Sequence, residues 1–172
     1  MYCVVISPQH APCQQSEALT IHATRLVGNK TVQKLDLSGN EINDNSAILF
    51  SSLLRGNEVL KILRVGACNL SSAGFRHMVA GLASNVALDD FSACENPWID
   101  NSALETYLEL VRANKGPAEV HLSTNKHMSL VNDDLAADFA LALQRNTKLR
   151  CFALGLVSLA GLRSIFNGLA GR

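Results

Sequence analysis

Aromatic side chains are scarce in this sequence: one Trp, two Tyr and six Phe make up 5% of 172 residues. Apolar residues nonetheless reach 48%. The core is therefore expected to be mostly Leu, Val, Ile and Ala, small branched fillers that suit thin stacked layers. An excess of charge is absent as well. Lys plus Arg and Asp plus Glu each number 15, so nothing draws the chain over long range toward nucleic acid or an anionic membrane. No window holds the roughly 18 consecutive apolar residues of a membrane helix, and no membrane insertion is expected. The opening MYCVVIS is apolar for only a few residues and has no basic leader, so it reads as a strand rather than a signal peptide. The cysteines Cys3, Cys13, Cys68, Cys94 and Cys151 are odd in number and lack CxxC spacing. That argues against a disulfide framework or a zinc site and fits reduced thiols in a cytoplasmic setting. His10, His22, His77 and His127 are scattered, with no i, i+4 pair on one helix, so no metal site is expected, and no cofactor motif stands out.

What is present is a repeat. Asn29, Asn57, Asn85, Asn114 and Asn146 each close an apolar run of helical spacing, with gaps of 28, 28, 29 and 32 residues. Asn tolerates the left-handed conformation that ends a helix, which is the role expected of these five. After each comes a strand pattern: VQKLDLSGNEI from Val32, LKILRVGACNL from Leu60, LDDFSACENPW from Leu88, PAEVHLSTNKH from Pro117 and LRCFALGLVSL from Leu149. The shared template is LxxLxLxxNxL, with Cys68 and Val157 at the Asn position and Pro117 at the first Leu. A weaker copy fits Met1, Val4 and Ile6. Helices follow, with Asp44, Ser72, Asp100 and Asp133 expected as N-caps, because their side-chain oxygens accept an otherwise orphaned backbone N–H. A last helix, AGLRSIFNGLA from Ala160, closely matches AGFRHMVAGLA from Ala73.

One strand–helix unit of this length cannot bury its own apolar edge, so the units must stack, with their strands in parallel. The expected architecture is an α/β solenoid. The Leu of each LxLx points inward. The Asn of the template tucks into the turn leaving the strand and bonds the backbone of the neighbouring coil. Cys68 is a small buried substitute there, and Val157 implies a looser final turn. Strands are narrower than helices, so the stack should curve, with strands on the concave face and helices on the convex one.

LDLSGNEI at Leu35–Ile42 and LALQRNTKL at Leu141–Leu149 are the words most typical of a known family. The chain resembles the ribonuclease-inhibitor-like class of leucine-rich repeat proteins over almost its whole length. The resemblance implies a horseshoe-shaped repeat domain that binds another protein. CARMIL and tropomodulin actin regulators, Ran GTPase activators and intracellular immune sensors carry similar repeats. Residues 1–172 are expected to form a single domain of about six repeats (1–31, 32–59, 60–87, 88–116, 117–148 and 149–172). Neither end looks capped, which suggests part of a longer repeat array or self-association through the terminal strands.

The variable strand positions should line the concave face. Stacking equivalent positions gives a central row of Val5, Asp36, Arg64, Ser92, His121 and Ala153. The row before it is Cys3, Lys34, Ile62, Asp90, Glu119 and Cys151, and the row after it Ser7, Ser38, Gly66, Cys94, Ser123 and Gly155. The middle repeats thus carry a mixed-charge band, and Lys34, Asp36, Arg64, Asp90, Ser92, Glu119 and His121 are the candidate partner-binding residues. Two readings compete. The band is a partner's footprint with Arg64 and His121 as anchors, or Asp36–Arg64 and Arg64–Asp90 are lateral ion pairs that keep the face soluble. Ser92, His121 and Asp90 fall close together, as do Cys94 and His121, but an open sheet offers neither oxyanion donors nor an enclosing pocket. No catalytic residue is assigned. Trp98, after Pro97, is read as covering the end of the core rather than as a stacking platform. The loops Ser7–Gln15 and Asn125–Asp133 lie on the rim where specificity often resides. The expected function is a non-catalytic scaffold for a protein partner. The alternatives are a GTPase-activating or other enzyme-regulating repeat protein, and a structural spacer in a larger protein.

Overall fold

The computed structural model describes residues 2–6, 25–123, 131–155, and positions 161 and 163. The loop 7–15, the helix expected from near Ser16 apart from its end at 25–27, the loop residues 125–130, Val157 and the final helix apart from isolated positions fall outside the described residues. Six strands lie in one sheet: β1 (Tyr2–Val5), β2 (Val32–Asp36), β3 (Ile62–Arg64), β4 (Asp90–Ser92), β5 (Glu119–Leu122) and β6 (Cys151–Leu154). Their order in space is their order in sequence, and every pair is parallel. Between strands run α1 (Asp44–Gly56), α2 (Ser72–Leu82), α3 (Asn101–Arg112) and α4 (Asp133–Arg145), each packed on the next. Parallel neighbours need such crossovers, because a tight turn cannot return the chain to the same end of the sheet.

The expected register holds. Leu35, Leu63, Phe91, Val120 and Phe152 are paired side by side. The first four are fully buried, and Phe152 packs against the core half-covered. The aliphatic expectation needs one amendment. Phe50, Phe75, Tyr107 and Phe139 place one fully buried ring in each of α1 to α4, and Phe91 adds another from β4. The few aromatics are thus concentrated where a layer needs its largest filler. Phe152 continues the run, with its ring 5.9 Å from Tyr107 and 5.1 Å from Phe139.

Three helices begin one residue earlier than expected. Asn43, Ser71 and Asn132 accept the N–H of Ser46, Gly74 and Leu135, while Asp100 caps α3 as expected. The cap is the residue whose backbone is still extended, and that position lies just ahead of the apolar-periodic run. Ser72, freed from capping, bridges coils instead: its hydroxyl donates to the Trp98 carbonyl and accepts the Asp100 N–H.

The asparagines closing the helices do something other than adopt the left-handed region. Asn57 and Asn146 are extended, and among the five only Asn114 has a positive φ, 55°. Asn85 shows the common device. Its Oδ1 accepts the N–H of Ala87 and Leu88, and its Nδ2 donates to the carbonyls of Leu54 and Asn57 in the coil before. Asn57 repeats this toward Leu26 and Asn29, and Asn146 toward Val111. The helix-to-strand corner is buried, so its backbone groups cannot turn to water. An amide offers both donors and acceptors in one small side chain.

At the opposite corner, where strands end, the template Asn behaves as expected. Asn40 donates to Ile6 O and Leu37 O. Asn96 donates to Val65 O and Ala93 O, and accepts the N–H of Cys68 and Leu70. Cys68 is fully buried and turns its thiol to Leu37 O at 3.2 Å. Two ladders of polar side chains therefore lock adjacent coils at both ends of every described strand from β2 to β4.

Candidate functional site

The seven candidate residues all stand on the sheet face turned away from the core. Lys34, Ile62, Asp90, Glu119 and Cys151 form one cross-strand row, and Asp36, Arg64, Ser92, His121 and Ala153 the next. Their inward neighbours Leu35, Leu63, Phe91 and Val120 are fully buried, and the two-residue period of a strand sends the flanking side chains outward. Arg64 is exposed and the other six are half-buried.

Neither lateral ion pair expected on the face is formed. Among the described residues, Arg64 makes no ion pair with Asp36 or Asp90. Asp36 instead accepts the N–H of Ser38 at 3.1 Å, closing its own turn. Arg64 and Asp90 sit diagonally on adjacent strands, where separations of about 7–8 Å between Cα atoms are usual. The His121 imidazole lies beside Asp90, with its Nε2 3.8 Å from Oδ1, too long for a hydrogen bond. That Oδ1 is buried and has no hydrogen-bond partner. Glu119 is met by Arg150, the residue just ahead of β6, at 3.7 Å, and the same guanidinium reaches Asp89 at 3.0 Å.

The sequence reading missed Arg150 and Asp89. They occupy the position just ahead of the outer rows, two strands apart, with Ala118 between them. Ala118 is small enough for a long side chain to pass over. Stacking one more column (Lys61, Asp89, Ala118, Arg150) would have exposed the opportunity.

The serine and histidine of the central row face each other across β4 and β5. Ser92 does not use His121, however. Its hydroxyl points to Cys94 Sγ at 3.5 Å, and that sulfur lies 3.4 Å from Ser123 Oγ. The row therefore holds no nucleophile–base hydrogen bond of the kind acyl transfer requires. Among the described residues, no group of three His, Cys, Asp or Glu is placed to hold a metal ion, and no helix is long and apolar enough to cross a membrane.

Trp98 does not cover the core. It is 57% exposed, at the rim where the chain leaves β4, with its Nε1 donating to Asn69 Oδ1 at 2.7 Å. The neighbouring core is already closed by Ile99 and Leu70, both fully buried, so the indole is surplus to it. Asn69, at φ 54°, also borders an open cleft of about 390 Å³ lined by Glu41, Asn43, Asp44 and Ser71.

Solved structures of other proteins share this architecture. The leiomodin-1 structure described as actin-binding site 2 superposes with a TM-score of 0.74 at 15% identity, covering 90% of this chain and 87% of that one. The tropomodulin C-terminal domain from Caenorhabditis elegans gives a TM-score of 0.57 at 13% identity, covering 99% and 81%. No family model matches the sequence, and no curated protein matches it. At such identities the likeness lies in the fold: a parallel sheet and its crossover helices, of the leucine-rich-repeat type.

Proposed function

We propose that the chain is a non-catalytic protein-binding module that receives its partner on the sheet face bearing Lys34, Asp36, Arg64, Asp90, Ser92, Glu119 and His121. In this proposal the chain is one run of six repeats, of the ribonuclease-inhibitor-like kind, acting in the cytoplasm. The stack bends so that this face is concave.

One observation carries it: the exposed cation at the middle of the face, Arg64, is not consumed by the carboxylates beside it. Had Arg64 paired with Asp36 and Asp90, the band would be explained as a solvated surface, each exposed pair worth about 0–1 kcal/mol. Instead Arg64 is exposed and has no ion-pair partner among the described residues. Cations held in these rows without an ion pair among the described residues, Lys34 and Arg64, are available to an external carboxylate. The two fold neighbours support a binding role, since one is described by its actin-binding site. Actin is accordingly the first partner to test.

The experiment compares the wild type with an Asp36→Lys/Arg64→Glu double variant. Labelled monomeric actin is titrated with each, and each is used as bait in native co-precipitation. A partner lost by a variant whose circular dichroism and Tm match the wild type supports the docking face. The same partners, at the same strength, on both proteins would remove it.

A further inference from the structure

The whole chain carries no net charge, yet its outer sheet face is divided. On β2 and β3 the outward charges are Lys34 and Arg64, with Asp36 tied back to the Ser38 N–H. On β4 and β5 they are Asp90 and Glu119, preceded by Asp89, and neither strand carries a Lys or Arg. Lys34 and Arg64 form no ion pair among the described residues. Arg150, one residue ahead of β6, pairs with Asp89 at 3.0 Å and with Glu119 at 3.7 Å from the far side of the acidic half, leaves Asp90 unpaired with it, and is itself 62% exposed. Asp90 and Glu119 are directly opposite each other on neighbouring strands, an arrangement of like charges that disfavours the sheet. A sheet selected only for stability would interleave these signs, and the side chains to do so are present one strand apart.

Resting on the docking face proposed above, we infer that its partner is an extended segment whose acidic and basic side chains come in separate blocks. The acidic block lies over β2–β3 and the basic block over β4–β5. Parallel strands are about 4.8 Å apart, so the centres of the two halves are separated by two spacings, about 10 Å. An extended chain advances about 3.3 Å per residue, which sets the blocks about three residues apart. Such a segment brings a cation to Asp90 and Glu119 and an anion to Lys34 and Arg64 at once. A segment of the same composition with alternating signs satisfies one residue of each half and repels the other. Charge order, rather than net charge, becomes the recognised feature.

Two acetylated and amidated peptides test this: Glu-Glu-Gly-Lys-Lys, and its reordered control Glu-Lys-Gly-Glu-Lys. Both are titrated into the full chain at low ionic strength and followed by backbone amide NMR shifts. The expected result is at least fivefold tighter binding of the blocked peptide, with shifts centred on residues 34–36, 62–64, 90–92 and 119–121. The preference should disappear in 0.5 M salt. It should also disappear in an Arg64→Glu/Asp90→Lys variant, which keeps the net charge and breaks the division. Equal binding of the two peptides, shifts centred elsewhere, or a preference that survives in the variant would each overturn the inference. Failure here, with a protein partner still lost on Asp36→Lys/Arg64→Glu, removes the charge blocks and leaves the docking face. Peptide discrimination with partners unaffected by that double substitution does the reverse.

Discussion

The side-chain oxygen of Asn96 accepts the backbone N–H of Cys68 at 2.9 Å, joining two coils 28 residues apart. The same amide also serves Leu70 N, Val65 O and Ala93 O, all inside the protein. Removing it strands buried donors and acceptors together. Asn96→Ala is expected to cost about 3–5 kcal/mol, since each unsatisfied buried group costs about 1–3 kcal/mol. Urea unfolding checks this, and a loss under 1 kcal/mol would show that the ladder is not what holds β3 to β4.

Cys68 makes the fold sensitive to alkali. Burial pushes its thiol up from 9.0 to about 12, against the pull of the Asn40 and Gly39 backbone bonds. A folded value above the unfolded one means that the neutral thiol favours the folded state. That contribution is complete below about 9 and is lost as pH rises from 9 to 12. The urea midpoint should fall over this range, and Cys68→Ala should flatten part of the fall. Iodoacetamide should label the exposed Cys3 and Cys151 well before Cys68.

Gly81 marks a close approach of α1 and α2. A Cβ there would meet Ser51 Cα and Ser51 O, both at 2.8 Å, and these are backbone atoms that cannot swing aside. Gly81→Ala should cost about 1–3 kcal/mol through overpacking. Gly56→Ala is the control. Its new methyl would meet only Val27 Cγ1 at 3.6 Å, and it should gain about 0.4–1 kcal/mol by stiffening the unfolded chain. Thermal melts of the two variants should shift in opposite directions.

Tyr107 is fully buried, and its hydroxyl has no hydrogen-bond partner. Burial alone pushes its ionisation upward. Tyr107→Phe keeps the ring stacked on Phe152 and deletes the stranded group, so a gain of about 1 kcal/mol is expected. A lower Tm in the variant would mean that the hydroxyl is satisfied in solution.

Neighbouring positions on β3 should separate function from folding. Arg64→Ala should change stability by less than about 0.5 kcal/mol, because the side chain is exposed and has no ion pair to lose. Leu63→Asp should cost several kcal/mol, because it places a carboxylate at a fully buried position. Denaturant midpoints for the pair, measured side by side, decide whether the outward row is free of structural duty.

Much of this was legible in the residues themselves. The LxLx alternation at Leu35 and Leu37, repeated at Leu63 and Val65 and at Phe91 and Ala93, dictated which side chains face inward. The recurrence of the template dictated that Asp36, Arg64, Ser92 and His121 would share a row. A two-residue period leaves no other register once one face must be buried. The template Asn was equally readable, because Asn40 and Asn96 sit at a turn whose buried backbone needs a partner. The helix-ending asparagines were read as residues that tolerate a left-handed turn. Their hydrogen bonds reach 28 to 35 residues back along the chain, and such partners have no local signature.

The sequence by itself determined the repeat, the parallel order of the strands and the two outward rows, because burying one face of a strand dictates the direction of every side chain along it. Tertiary structure alone decided which charges in those rows met. Whether Arg64 touches Asp90, or Arg150 passes over Ala118 to Asp89, depends on ångström separations between side chains on different strands. No spacing along the chain encodes those distances. They arise only when six separate segments are set beside one another.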